Sequence, residues 1–363
     1  MKKIVFHIIT KLDVGGAERV AINIASHKDP DVEQHIVEVI RGTSDFSSRI
    51  IEELQQKHTP YHRALLPVLF HFHYLFEKFC AILFPLRFLI LWLRYRPTTV
   101  HCHTEMPDMA IWLTMKLFPF INVRVVRTIH NTMLWTGMAN IGRKVEFFMQ
   151  RRGGNIAISK NVQEAYQQRF GALVPIIYNG VSPVEQKRYE KIVPGRINIC
   201  FAGRFEEQKG IDILCSIVKA LKDDERYYFH IFGCGRQQNL IDEQKSLPNV
   251  SVNPPLNGIS SYLASFDYLI MPSRHEGLSI LALEASFNGL PLLINSCAGL
   301  VDTLPTNWPL KVVENSLQEW MHIFKDVLPN IDRKPLLEQA YNFVNQHFSM
   351  ENMQKSYIDF YKV

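Results

Sequence analysis

Strand-like and helix-like segments alternate along this chain twice over, and that alternation restricts it to an α/β architecture with parallel sheets. KKIVFHII is followed by GAERVAINIAS, HIVEVI, a long apolar stretch, TTVHCHT, PDMAIWLTMKLF and VRVVRTIH. After YNGVSP the pattern starts again with INICFAGR, GIDILCSIVKALKD, YYFHIFG, NLIDEQKSL, VSVNP, ISSYLASF, YLIMPS and PLLINS. Parallel strands joined by helical crossovers make two such sheets in succession, and 363 residues suit two cores better than one. Residues 1–182 are expected to form the first domain and 183–345 the second, with 346–363 a final helix crossing back to the first. Ligands of such sheets sit beyond the carboxyl ends of the strands, which makes the cleft between the domains the expected active site. The polar stretch VSPVEQKRYEKIVPGR, with two prolines, reads as the hinge.

A hydrophobic fraction of 47% with 21% charged residues is that of a globular chain. The formal charge of +5 allows an anionic ligand or surface, but no nucleic-acid motif accompanies it. Six cysteines, at 80, 102, 200, 215, 234 and 297, show neither C-x-x-C spacing nor the density of a disulfide scaffold. That usage points to a reducing cytoplasm. MKKIVFHIITKLD reads better as a first strand than as a signal peptide, since its apolar run is short, contains His7 and lacks a small-residue cleavage site.

Glu276 and Glu284, eight residues apart in PSRHEGLSILALEAS, carry the most chemistry. FDYLIMPS reads as a buried strand, RHEG as a turn and LSILALEASFNG as a helix closed by Gly289. The backbone at Gly277, Leu278 and Ser279 would then offer a helix N-terminus to a diphosphate, with one carboxylate on either side. Eight residues at helical rise span roughly 12 Å, about the hexose-to-ribose distance of a nucleotide sugar. The competing reading is a capping Glu and a solvated helix Glu.

Other segments follow the same logic. Gly15 and Gly16, between the first strand and its helix, let a phosphate or an acceptor approach the backbone, or simply allow close packing. Arg204 and Lys209 in AGRFEEQKG place two cations at a strand end, where they stabilise a leaving diphosphate; a solvated mixed-charge loop is the alternative. Gly203 and Gly210 flank them, and Gly233 and Gly235 form a Gly-x-Gly turn in HIFGCGR. His101, His103, Glu105 and Asp108 have the look of a metal cluster, but no further His pair or Cys cluster stands at ligand spacing. His130, ending VRVVRTIH before Asn131, is the stronger catalytic candidate.

Taken together, GGAER, HCHT, RTIHN, ISKN, YNGV, AGRFEEQKG, FGCG, PSRHEG with the second Glu, and FSMENMQKSYIDFY resemble the retaining GT-B glycosyltransferases of family 4 along nearly the whole chain. The resemblance implies two Rossmann-like doubly wound domains facing a central cleft. It also implies transfer of a hexose or N-acetylhexosamine from a nucleotide sugar, most commonly a UDP-sugar, to a glycan or lipid-linked acceptor of cell-surface polysaccharide synthesis, without metal or cofactor. By that likeness His130 lies over the donor sugar and phosphate, Arg204 and Lys209 stabilise the diphosphate, Glu276 grips the hexose and Glu284 the ribose. Gly15, Gly16, Gly203, Gly233, Gly235, Gly277, Leu278 and Ser279 join the donor site. Two departures touch the pocket rim: Ser182 where relatives carry Asp after Asn-Gly-Val, and Ala298, Gly299 and Asp302 in place of Gly-Gly-x-x-Glu. A nucleotide-sugar epimerase of the same fold and an inactive glycan-binding partner subunit are the alternatives. The epimerase would carry dedicated acid and base residues.

Tyr61 to Arg96 is rich in Leu and Phe and carries Arg63, Lys78, Arg87, Arg94 and Arg96 against Glu77. Pro67, Pro85 and the charges interrupt every run, so no transmembrane helix is expected. An amphipathic surface on anionic lipid, with Phe70, Phe72, Leu89 and Trp92 in the interface and Arg87, Arg94 and Arg96 on lipid phosphates, a pair of buried helices covering the first sheet, or both together, with one face packed and the other on lipid, fits. The first reading places the protein on the inner face of the cytoplasmic membrane as a peripheral component.

Overall fold

The computed structural model describes residues 2–13, 15–67, 73–136 and 138–363, with backbone alone over 73–78. The chain divides into two compact units, Met1–Asn179 with Met350–Val363, and Gly180–Ser349.

The first unit runs β1 (Lys3–Ile9), α1 (Gly16–Ala25), β2 (Val32–Glu38), α2 (Asp45–Gln56), β3 (Tyr61–His62), α3 (His73–Tyr95), β4 (Thr99–Cys102), α4 (Glu105–Leu117), β5 (Arg124–Ile129), α5 (Ala139–Arg152), β6 (Asn155–Ala157) and α6 (Lys160–Phe170). Its described strands form one parallel sheet in the order β3-β2-β1-β4-β5-β6. Central β1 is covered on both faces, so KIVFHII needs no alternation. Ser44 and Ser159 cap α2 and α6 by accepting from Ser47 N and Val162 N, while Gly153 and Gly171 end α5 and α6 in the left-handed region.

The second unit runs β7 (Ile197–Ala202), α7 (Ile211–Ala220), β8 (Tyr227–Phe232), α8 (Gln238–Asp242), β9 (Val250–Asn253), β10 (Tyr268–Met271), α9 (Ile280–Phe287), β11 (Leu292–Asn295), β12 (Lys311–Val312), α10 (Leu317–His322) and α11 (Arg333–Phe348). The sheet order β12-β11-β10-β7-β8-β9 repeats the first topology, with the strand order reversing between β7 and β10 as it does between β1 and β4. Both sheets are doubly wound in the Rossmann manner. The stretch read as the hinge packs on this unit: Gln186 Nε2 donates to Ser260 O at 2.9 Å, and the Tyr189 ring packs on Phe266. Tyr189 and Ile192 anchor the otherwise polar segment to the core.

The last helix, α12 (Met350–Lys362), belongs to the first unit. Met353, Tyr357, Ile358 and Tyr361 bury one face against Val5, Val20 and Ile24. Lys3 Nζ donates to Tyr361 O at 3.0 Å, and the buried Tyr357 hydroxyl lies 2.9 Å from Thr128 Oγ1.

Helix α3 is continuous through Pro85, so a single helix replaces the expected pair. Cys80, Ala81, Phe84 and Phe88 face the core, while Phe79, Ile82, Leu83, Leu86, Ile90 and Leu93 are exposed. Three residues expected at a lipid surface face the other way. Arg87 donates to Glu38 O, His62 O and Arg63 O, and Leu89 and Trp92 pack toward the core. The physical reason is that carbonyls at the ends of β2 and β3 need donors, and the guanidinium of Arg87 reaches them. Phe70 and Phe72 lie outside the described residues. No described helix is long and apolar enough to cross a membrane.

Candidate active site

In the second unit a cavity of about 400 Å³ lies beyond the carboxyl ends of β7 and β8. Gly203 and Arg204 follow β7, Gly233 follows β8, and Ile280 and Glu284 come from α9. This is beside the switch point between β7 and β10, where doubly wound sheets bind ligands. A Cβ on Gly233 would sit 2.0 Å from Gly203 O, and one on Gly235 would sit 2.6 Å from Phe205 O. The Gly-x-Gly turn therefore lets two loop backbones touch and shape the cavity floor. Glu284 is half-buried and accepts from Ser260 Oγ at 2.6 Å. Burial pushes its carboxyl above the ordinary range, with the Ser260 bond opposing.

The loops after β7 and β10 hold each other. Gly210, at φ +68°, has Pro272 O where a Cβ would lie 2.0 Å away, so the turn requires glycine. Arg274 N donates to Gln208 O, and the Arg274 guanidinium clasps Asp212 at 2.8 and 2.6 Å and donates to Glu207 O. Gln208 Nε2 donates to His275 O at 3.0 Å. These bonds set Lys209 against Glu276, with Nζ 2.6 Å from Oε1, an oxygen that also accepts from Ser273 Oγ at 2.8 Å. Glu276 is 7% exposed, so its carboxylate is held and not solvated. Arg204 is exposed and forms no ion pair among the described residues.

Helix α9 begins at Ile280, with Ser279 as its cap accepting from Ala282 N. The sequence suggested a start at Leu278; the cap keeps Gly277 and Leu278 in the preceding loop, so only part of the Glu276–Glu284 interval is helical. Gly299 sits at φ +75° with Glu276 O where a Cβ would be 2.2 Å away, and Glu276 N donates to Ala298 O. The rim segment that departs from the family pattern thus seats Glu276.

In the first unit, histidines from adjacent strands converge. His7 and His101 are in register on β1 and β4, and His103 follows β4. His7 Nε2 is 2.9 Å from Gln34 Oε1, and His7 Nδ1 is 3.1 Å from His103 Nε2. His101 lies 2.6 Å from the Tyr361 hydroxyl and 2.7 Å from Thr128 Oγ1. Burial pushes His7 and His130 down to about 4 and holds His101 and His103 well below 6.5, so all four are neutral. The nitrogens of His7, His101 and His103 lie within 4.8 Å of one another, as a metal would need, yet both nitrogens of His7 and of His101 are already in hydrogen bonds. Glu105 and Asp108 have other work. Glu105 accepts from Trp135 N, and Asp108 pairs with Arg127, which is bidentate on Glu146 at 2.9 and 2.6 Å.

Gly15 caps α1 without a side-chain bond, and a Cβ on it would strike the Glu18 carboxylate at 2.1 Å, whereas Gly16 has nothing within 4 Å. Both line a cavity of about 300 Å³ with Asp13, Arg19 and Phe46.

Sequence reasoning missed His7, Gln34, Ser260, Ser273 and Arg274. His7 had a signal, since its place in β1 opposite the His-x-His strand end puts it on the same sheet face. Gln34 lies on β2 beside β1, while Ser260, Ser273 and Arg274 act through turn and loop contacts that leave no periodic trace.

Two doubly wound parallel-sheet units define the GT-B class of fold. Residues 14–185 match the family described as Glycosyltransferase Family 4, and residues 196–326 match the Glycosyl transferases group 1 family. The chain belongs to the family 4 glycosyltransferases of GT-B fold. Among curated relatives it is 28% identical over 208 residues to an uncharacterized 41.2 kDa protein in the cps region of Klebsiella pneumoniae, covering 52% of this chain and 55% of that one. The chain therefore spans about half the length of that relative. Its fold resembles a glycosyltransferase from Rickettsia africae, with TM-score 0.76, 17% identity and coverage of 99% and 98% of the two chains. It also resembles Anabaena HepE solved with UDP, with TM-score 0.73, 16% identity and 98% coverage of both.

Proposed function

We propose that this chain transfers a hexose or N-acetylhexosamine from a UDP-sugar to a glycan or lipid-linked acceptor in surface-polysaccharide synthesis, with retention at the anomeric carbon. The observation that carries this reading is the Lys209–Glu276 contact at 2.6 Å, seated by interlocked loops at the head of α9 whose Glu284 lines the adjacent cavity. A cation held on a carboxylate is poised to exchange that partner for a diphosphate, and Glu276 is then released toward sugar hydroxyls. Arg204 adds a second charge for the leaving group. Glu284 accepts from the ribose, and the cavity's apolar wall takes the base, which in HepE belongs to UDP.

The bond from the anomeric carbon to the diphosphate breaks as the acceptor oxygen bonds to the same face. The acceptor's hydroxyl proton passes to the leaving phosphate oxygen. His130, neutral, hydrogen-bonds the reacting sugar or phosphate. Because Arg204, Lys209 and a helix start supply the positive charge, transfer proceeds without a metal and persists in excess chelator.

The exposed apolar stripe of α3, ending in exposed Arg94 and Arg96, suits peripheral attachment to the anionic cytoplasmic face of a membrane, where a lipid-linked acceptor resides. The cps location of the Klebsiella relative supports a polysaccharide product. A panel of nucleotide sugars incubated with pure protein and an extract of lipid-linked precursors, read by mass shift, tests the reading. A mass increase of one hexose or N-acetylhexosamine on a lipid-linked species is expected. Epimerised or unreacted donor with no transfer in any combination would replace it.

A further inference from the structure

Among the buried side-chain atoms of the first unit that have no hydrogen-bond partner among the described residues are His103 Nδ1, Asp108 Oδ1 and His130 Nε2. All three residues line one cavity of about 20 Å³. Such a volume admits about one water, and three polar neighbours are the number a buried water needs. We propose that this cavity holds a single water, oriented by His103 and Asp108, which decides which ring nitrogen of His130 carries the proton presented to the donor. The proposal rests on the reading of His130 as a donor-contacting group.

The orientation follows from neighbouring bonds. Gln34 Nε2 donates to Ile24 O and His27 O at 3.0 and 3.1 Å, so its Oε1 must accept from His7 Nε2–H. His7 Nδ1 is then a lone pair, and His103 Nε2–H donates to it. That leaves His103 Nδ1 as a fixed acceptor facing the cavity. On the opposite wall, Asp108 Oδ2 accepts from Arg127 Nε at 2.8 Å, so any proton on Asp108 resides on Oδ1.

A water has two protons to give. When Asp108 is protonated, the water accepts from Oδ1–H and donates to both His103 Nδ1 and His130 Nε2, which leaves His130 protonated at Nδ1. When Asp108 is ionised, the water donates to Oδ1 and His103 and must accept from His130 Nε2–H, stripping Nδ1 of its proton. His130 changes tautomer without changing charge. Asp108 on α4 faces Arg127 on β5, Glu146 on α5, Glu105 one turn earlier, Cys102 and His103 at the end of β4, and His130 after β5. Burial raises its carboxyl to about 7, with Arg127 opposing and Glu146 and Glu105 adding. The switch therefore falls near neutral pH.

Nitrogen-15 NMR of the imidazoles in the full chain tests this. His130 should be the Nδ1–H tautomer at mildly acid pH and convert to Nε2–H with a midpoint near 7. In Asp108→Asn the carboxamide keeps its oxygen on Arg127 and its NH₂ on the water, so His130 should stay Nδ1–H throughout. Since an Nδ1–H donor contacts developing negative charge, wild-type kcat should fall about tenfold across the transition, and this step should vanish in Asp108→Asn. An Nε2–H tautomer at acid pH, or a titration unchanged in Asp108→Asn, overturns the proposal. If Asp108→Asn does not fold, the wild-type titration alone decides, a constant tautomer being the negative result. Undiminished turnover in His130→Ala, together with the tautomer switch observed in the wild-type chain, would instead remove the donor-contact reading and leave the water link standing.

Discussion

Lys209 Nζ lies 2.6 Å from Glu276 Oε1, so the cation assigned to the diphosphate and the carboxylate assigned to the hexose are bonded to each other. Lys209 is about one-fifth exposed and Glu276 is buried, which makes the lysine the partner free to turn toward an incoming ligand. The contact pre-positions both groups and shields the lysine from solvent until the diphosphate arrives.

Lys209→Ala and Arg204→Ala should each lower kcat by about 10²-fold, the usual cost of removing a preorganised charge at the transition state. Both proteins should fold, because Arg204 is exposed and Lys209 lies outside the hydrophobic cores. Near-normal turnover by the folded variants would remove the diphosphate assignment.

The two carboxylates should separate by readout. Glu284 lines the 400 Å³ cavity and Glu276 does not, so Glu284→Ala should weaken binding of free UDP about tenfold or more while Glu276→Ala leaves that affinity near wild type and abolishes transfer. Calorimetry with UDP measures the first effect and donor turnover the second. A loss of UDP affinity confined to Glu276→Ala reverses the roles.

Much of this was legible in the sequence because it follows from period and punctuation. Strand runs such as KKIVFHII and INICFAGR, alternating with helical ones, gave the two sheets, and Gly233 and Gly235 stood out as a Gly-x-Gly turn. The Arg274 clasp on Asp212 was not legible, since a basic residue in RHEG looks the same whether solvated or bonded 62 positions away. The inner face of α3 was misread for a related reason. Arg87 in a Leu-rich helix looks like a lipid anchor until the carbonyls of Glu38, His62 and Arg63 are placed beneath it.

That clasp yields a prediction of its own. Arg274 and Asp212 are partly exposed, so their pairing should add no more than about 1 kcal/mol to stability. It nonetheless fixes the loop carrying Glu276 to the loop carrying Lys209. Arg274→Ala should therefore lower kcat roughly tenfold through misplacement while the melting temperature barely moves, and adding Asp212→Asn should cause little further loss. Additive losses in the double variant would show that the two residues act separately.

Buried neutral histidines make stability pH-dependent with a definite sign. His7 in the first unit and His230 in the second are fully buried and pushed down from 6.5 to about 4, so the unfolded chain binds protons that the folded chain refuses. Stability contributed by their neutrality is present above pH 6.5 and is lost as pH falls from there toward 4. For His7 the loss is on the order of 3 kcal/mol at the acid end. Thermal unfolding followed through that window should show a steady fall in Tm, and a flat profile would contradict the burial-driven shifts.

Membrane attachment should depend on the outward face of α3. Leu86, Ile90 and Leu93 are more than half exposed, and Arg94 and Arg96 stand exposed at the end of the same helix, where each basic group near an anionic surface contributes about 1 kcal/mol. Arg96 also stacks over Trp92 at 4.3 Å, which holds its charge at the helix end. Reversing Arg94 and Arg96 to Glu should release the protein from anionic vesicles, and Leu86→Ser with Ile90→Ser should do so even at low salt, because the inserted apolar area is then lost. Arg87 must be left alone, since its bonds to three carbonyls make its replacement a folding defect. Co-sedimentation with vesicles containing anionic lipid measures the binding, and transfer to a lipid-linked acceptor should fall more than transfer to its soluble analogue. Wild-type protein that stays in the supernatant with anionic vesicles at low salt would leave α3 as a cover for the sheet and weaken the case for a lipid-linked acceptor.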